Sequence, residues 1–475
     1  MGRKSRTNAI RGRETTVIQR DTADIGGNVN PRKVVIGVAA LALLAALLGG
    51  SSRYDSFQLI LLQPASWVLA GMACLWVRRN DLRHHRTPLA IISGFGALAL
   101  LQLVPLPYSI WTGLPGREIV ASLDTALGFD VGRPVSMVPS RTVNALMGVG
   151  IPLAAILIFV VAARRSIRPI VVAMLAIAAL HTLFAIAQVL GPGGEWLYFY
   201  HQKNNYAAVG LFANPNHSGV FSAAMLVFIA AVIVVGRGKF ARAGVLALYG
   251  LYALVFCVAL LTGSRAALVA LGLALLATTG LFGLAAVPPE GGRRTRRFAG
   301  VPMIAWITAP LGIAAMVVFA LSDRLPAFDQ FVAGLPLEDQ RFAFLPVIAE
   351  MAVTYFPFGS GLGSFENVYY LHETDELLQP AYLNMAHNDW LQLVIEGGVV
   401  GVGLLLAMAG WVVSLAVRAV KHQRRDLAVA LLAGASIVAM ASYFDYPLRT
   451  PLFQLCALWS LLCLRFIIDP SKGRL

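Results

Sequence analysis

Charge is scarce in this chain. Only 13% of its 475 residues are charged, 58% are hydrophobic, and the mean hydropathy is +0.71. That balance excludes an ordinary soluble domain and fits an all-α polytopic membrane protein. Cysteine is scarcer still. The four present, Cys74, Cys257, Cys456 and Cys463, all fall in apolar runs. They build neither a disulfide framework nor a CxxC metal site and read as packing residues. No cleavable leader is expected either: basic and polar residues precede the first apolar run, with no small-residue cleavage site. The expectation is a disordered cytoplasmic arm over residues 1–33.

What is there is a series of apolar runs. They lie near 34–50, 57–77, 88–104, 142–163, 169–190, 217–235, 243–262, 265–284, 299–320, 391–417, 427–443 and 451–467. Each is close to the roughly 20 residues that a helix needs to cross a bilayer. The reading is twelve transmembrane helices, with 243–262 and 265–284 forming a hairpin. Net charge is +14, which on a soluble protein would suggest nucleic acid. With the N-terminus placed in the cytoplasm, however, 29 of the 38 Lys and Arg fall on the inner side. Only 7 of the 24 acids do, so the inner face carries +22 and the outer face −8. The positive-inside rule accounts for that split with both termini cytoplasmic, and no nucleic-acid partner is expected. The chain then divides into the arm (1–33), nine spans (34–320), a large outer loop (321–386), three spans (387–467) and a tail (468–475).

Two other outer segments are long. The segment 105–141 contains several prolines and glycines and is expected to wrap the surface. The segment 191–218 is rich in aromatics and amides, which suits an interfacial or re-entrant piece beside a cavity. In the large loop, helical periodicity around 340–355 precedes Phe-Pro-Phe-Gly-Ser-Gly-Leu-Gly. Gly359-x-Gly361-x-Gly363 is not a nucleotide loop, because no strand precedes it and no Lys-Ser/Thr follows; it reads as a tight turn. His201, His217, His372 and His387 share the outer face without zinc-ligand spacing, so neither a metal nor another cofactor is expected.

Polar residues gather at 386–401, Ala-His-Asn-Asp-Trp-Leu-Gln-Leu-Val-Ile-Glu-Gly-Gly-Val-Val-Gly. At 100° per residue Asp389, Gln392 and Glu396 share one helical face. Carboxylates within a membrane span are costly and mark function by default. Glu396 could equally meet a satisfied partner inside the bundle. Among the nine outer basic residues, Arg265 stands where one helix returns into the next, and Arg341 opens the periodic part of the large loop. Each alone could be a snorkelling or loop ion pair. Clustered on an acidic face, they suit an anionic ligand such as a lipid-linked diphosphate. His217 reads as capping or packing the start of its helix.

Four motifs in register resemble the O-antigen ligase and polymerase superfamily of bacterial envelope glycosyltransferases. His387-Asn388, nine residues, then Gly398-Val-Val-Gly401 is one. Gly263-Ser264-Arg265 is the second. Arg341 with Pro357-Phe358-Gly359-x-Gly361-x-Gly363-x-Phe365 is the third, and Phe212-x-Asn214-Pro215-Asn216-His217 the fourth. The resemblance covers roughly 200–445.

It implies a GT-C-like membrane enzyme of the bacterial inner membrane with its active site in the periplasm. Such an enzyme moves a glycan from an undecaprenyl diphosphate carrier to an acceptor sugar hydroxyl, without metal or nucleotide sugar. Arg265 and Arg341 would stabilise charge growing on the diphosphate. His387 would act as general base, since an imidazole can accept a proton near neutrality, and inversion by a single displacement is expected. Asp389 or Glu396 would orient that histidine. Asn388, Asn214, Asn216 and His217 would join Asp389 and Glu396 in binding substrate. The expected partners are the lipid-linked donor, lipid A–core or growing polysaccharide as acceptor, and the bilayer. Ligation to lipid A–core is the first reading, and polymerisation of O-antigen or exopolysaccharide repeats the alternative. A transporter or flippase would show inverted repeats, and none is found. Gly397 and Gly401, four apart, are expected to let the helix pack closely on a neighbour.

Overall fold

The computed structural model describes residues 30–191, 196–200, 207–286, 336–378 and 383–469. Among them, nine helices are long and apolar enough to cross a membrane. They are Pro31–Leu48, Pro139–Ala162, Arg168–Leu190, Pro215–Val235, Arg242–Leu261, Arg265–Ala285, Asp389–Lys421, Arg425–Phe444 and Pro451–Ile468. Two further expected spans are shorter apolar helices, Leu59–Cys74 and Arg86–Gln102. The expected span at 299–320, the arm over 1–29 and the tail from 470 lie outside the described residues. The fold is therefore an all-α polytopic membrane protein.

The helix starts follow local chemistry. Proline occupies the first turn of the helices beginning at Pro31, Pro139, Arg168, Pro215 and Pro451, where its missing N–H costs nothing. Asn30, Asn214 and Asn388 cap their helices by accepting from backbone N–H groups of the first turn. The helix 215–235 is apolar on every side and nearly all buried, as such a helix must be. It packs on 265–286, 242–261 and 425–444. Gly219 lies against Ala267, where a Cβ would collide, so helices 215–235 and 265–286 touch almost backbone to backbone.

The helix 389–421 is not continuous. Gly398 (φ 55°, ψ −150°) breaks it in a conformation that favours glycine. A break inside an apolar bundle frees backbone groups that must be paired, and the glycine-rich run pairs them. Ser360 N donates to Ile395 O (2.8 Å), Gly361 N to Glu396 O (3.1 Å), and Val399 N to Pro357 O (2.8 Å). Gln102 Nε2 donates to the same Glu396 carbonyl at 2.8 Å. The tight turn expected at Gly359, Gly361 and Gly363, all with positive φ, is thus a dock for the kinked helix. The glycine that the geometry requires is Gly398; Gly397 and Gly401, expected to do the packing, keep helical backbone.

The segment 105–141 is tied down rather than merely wrapped around. It carries a two-residue antiparallel pair, Pro105–Leu106 with Arg133–Pro134. Within it Arg117 is fully buried and donates to the carbonyls of Pro115 (2.7 Å), Val135 (2.6 Å) and Gly359 (2.7 Å). The expected periodic segment of the large loop is the helix Pro336–Thr354. Phe344, Ile348 and Met351 from it join Phe365, Tyr369 and Ile395 in a second small core over the head of the kinked helix.

Candidate active site

At one end of the bundle the starts of helices 215–235, 265–286, 389–421 and 451–468 meet the end of 425–444. His387 stands one residue before the Asn388 cap with φ 49°, a left-handed backbone that lifts its ring off the helix. Its Nδ1 is 3.5 Å from Asp445 Oδ1. His217 Nε2 approaches the same oxygen at 3.8 Å. Neither distance is a hydrogen bond; both are close charge–dipole contacts. Tyr446 sets its ring edge-on to both imidazoles, with centroids at 5.0 and 5.2 Å.

The other oxygen of Asp445 is committed. Asn216 Nδ2 donates to Oδ2 at 2.9 Å, and Ser264 Oγ donates to Asn216 Oδ1 at 2.6 Å. Ser264 Oγ also accepts from Ala267 N (3.1 Å), closing the first turn of the helix that Arg265 begins. Three separate motifs therefore converge on one carboxylate: Asn216 and His217, Ser264 with Arg265 beside it, and His387. Burial would push the Asp445 carboxyl up, but the two imidazoles facing it hold it well below the usual carboxylate range. It is ionised throughout the neutral range.

The acids expected to orient His387 do something else. Asp389 Oδ1 accepts from Arg449 Nε (2.9 Å) and its Oδ2 from Ser442 Oγ (3.2 Å). Glu396 Oε2 accepts from Arg449 Nη1 at 3.2 Å, and its Oε1 from Gln392 Nε2 (2.9 Å) and Phe365 N (3.3 Å). Asp389, Gln392 and Glu396 do share a face, as their spacing requires, and that face closes on Arg449. Burial works against the Arg449 charge, but the Glu396 and Asp389 carboxylates raise its pKa above the ordinary value. The carboxylate beside His387 is Asp445.

Two further residues are placed. Of the two roles expected of His217, it packs the start of its helix, buried with Nδ1 3.1 Å from Thr450 Oγ1, while Asn214 is the cap. Asn388 spends its carbonyl oxygen on Trp390 N and Leu391 N (3.1 Å each), so a capping role accounts for it. Arg341 lies in the helix 336–354 and its side chain is outside the described residues. Asp445, Tyr446 and Arg449 are the residues that sequence reasoning missed. They occupy the short turn Asp-Tyr-Pro-Leu-Arg between two apolar helices. Their signal was available: Arg449 is among the nine basic residues assigned to the outer face.

Beside Arg449 opens a cavity of about 730 Å³. Its polar end holds Arg141, Glu366, Asp389, Glu396 and Arg449. From there it runs between apolar helices past Phe228, Val412, Leu432 and Leu464. An ionic mouth on an apolar channel suits an amphiphile with a charged head and a hydrocarbon tail. His387, His217 and Arg265 are not part of the lining, although Asp389, two residues on from His387, is.

Residues 250–406 match the family described as O-antigen ligase. The matched stretch contains the Ser264-Arg265 pair, Arg341, the glycine-rich run and the His387 motif, and it stops short of Asp445 and Arg449. No curated protein matches the chain. The match covers about a third of the chain; over that stretch the protein is similar to O-antigen ligases, and its apolar helices fit a multi-pass membrane protein.

Proposed function

We propose that the protein transfers a glycan from an undecaprenyl diphosphate carrier to an acceptor sugar hydroxyl at the periplasmic face of the bacterial inner membrane. Both termini would then be cytoplasmic. The observation that carries this reading is the His387–Asp445 contact, held at the meeting point of the family's motifs and next to an amphiphile-shaped cavity. Asp445 draws the Nδ1–H of His387 toward itself, which leaves the Nε2 lone pair free as a base. In the displacement, the acceptor O–H loses its proton to Nε2 while its oxygen bonds to the anomeric carbon. The bond from that carbon to the diphosphate breaks, and the electron pair leaves on the diphosphate. Arg265 and Arg341 stabilise the charge that grows there, which is worth about 10²–10³-fold per donor. A single displacement inverts the anomeric centre. The polyprenyl chain is hydrocarbon and fits the apolar length of the cavity.

Ligation to lipid A–core is the reading placed first, and a knockout examined on a lipopolysaccharide gel tests it. A ligase leaves core-only lipopolysaccharide and accumulates lipid-linked polymer. A single repeat unit on the core, or intact lipopolysaccharide with exopolysaccharide lost, would assign a polymerase instead.

A further inference from the structure

Three buried polar atoms in the described residues face one another without a hydrogen-bond partner: His217 Nε2, His387 Nδ1 and Asp445 Oδ1. Such orphans are rare, and each calls for an explanation. Asp445 has one oxygen left once Asn216 has taken the other, and two imidazoles claim it from 3.5 and 3.8 Å. We propose that His217 is a positioning residue that competes with His387 for Asp445 and so keeps the His387 ring in its proton-accepting form. This rests on the reading of His387 as the base.

The physical argument is one of shared charge. A carboxylate beside an imidazole favours the protonated ring, which cannot accept a proton. Unshared, Asp445 would orient His387 at the cost of holding it as imidazolium. A second imidazole on the same oxygen takes part of that field. Whenever His217 carries the proton, its positive charge also opposes a second one on His387. His217 suits the role because it is 1% exposed and pinned through Nδ1 to Thr450, so it contacts the carboxylate and has no route to bulk water. The other charged groups at this end are Arg449 with its two carboxylates, Asp389 and Glu396, and Arg265; the titratable Tyr446 covers both rings. The Arg449 group is the same with or without His217, so replacing His217 changes the charge balance at Asp445 through His217 alone.

The test uses the purified full chain with a lipid-linked glycan donor and follows kcat from pH 5 to 9. In His217→Gln, which can still donate an N–H but cannot take up a proton, the proton that Asp445 attracts can reside only on His387. The acid limb moves to higher pH, by about one unit. Thr450→Val, which only loosens His217, moves it the same way by less, and carries the test should the first variant fold poorly. A profile of unchanged shape at lower height, or a shift to lower pH, overturns the proposal. The ¹⁵N-imidazole titration curve of His387 is read in parallel and needs no turnover. A curve displaced by His217→Gln supports the coupling even if His387→Ala retains activity, in which case only the base assignment fails. An unmoved curve overturns the coupling itself.

Discussion

At the residue scale, the site separates into two carboxylate systems with different tasks. Asp445 serves His387, whereas Asp389 and Glu396 serve Arg449. Removing Arg449 would strand two carboxylates in a buried setting, and breaking such a pair costs about 3–5 kcal/mol. Arg449→Met should therefore lower the thermal midpoint in detergent sharply, whatever it does to turnover; an unchanged midpoint would mean that the arginine holds nothing together. Asp445 gives a pH signature. Its folded carboxyl lies below its ordinary range, so its stabilisation is complete above about pH 3.9 and is lost as pH falls through the lower folded value. The wild type should lose stability on acidification below that point, and Asp445→Asn should lose less, as thermal unfolding at graded pH will show. Much of this was legible in the chain: His387, Asn216 and Ser264-Arg265 are polar residues in apolar surroundings, where each demands a reason. Asp445 was not, because nothing local ties a turn between two helices to a histidine in front of a third. Only the packing of 425–444 against 389–421 brings them together.

At the scale of elements, hydropathy placed eleven of the twelve expected runs on described helices to within a few residues. The asparagine caps and first-turn prolines mark where several of them start. The break in 389–421 was hidden. Gly397 and Gly398 are adjacent and equivalent to any local rule, and what distinguishes them is the 357–361 loop arriving from far along the chain. A Cβ on Gly398 would run into Pro357 O and hold the residue in a strained region, which costs about 1–3 kcal/mol before the loop is displaced. Gly398→Ala should therefore lower the thermal midpoint and expose the 357–363 loop to limited proteolysis. Gly397→Ala meets only side chains at 3.3 Å and beyond and should do much less. Equal effects would contradict the docking of the loop on the kink.

For the whole molecule, the proposed orientation follows from the charge asymmetry: the end of the bundle that carries His387 would face the periplasm. Single cysteines at Asp55 or Glu376 in a cysteine-free background should react with an impermeant thiol reagent in intact spheroplasts. One at Arg425 should react only after permeabilisation, and the reverse pattern would invert the topology. The all-helical membrane fold was legible because burying backbone in lipid leaves so few solutions. The acceptor was not, because ligases and polymerases share the chemistry that these residues encode. The most direct test of the account is the turnover of purified His387→Ala with a defined undecaprenyl-diphosphate-linked donor and a sugar acceptor. Loss of a positioned general base predicts a kcat lower by about 10²–10⁴-fold with donor binding kept, and wild-type turnover in that variant would contradict it.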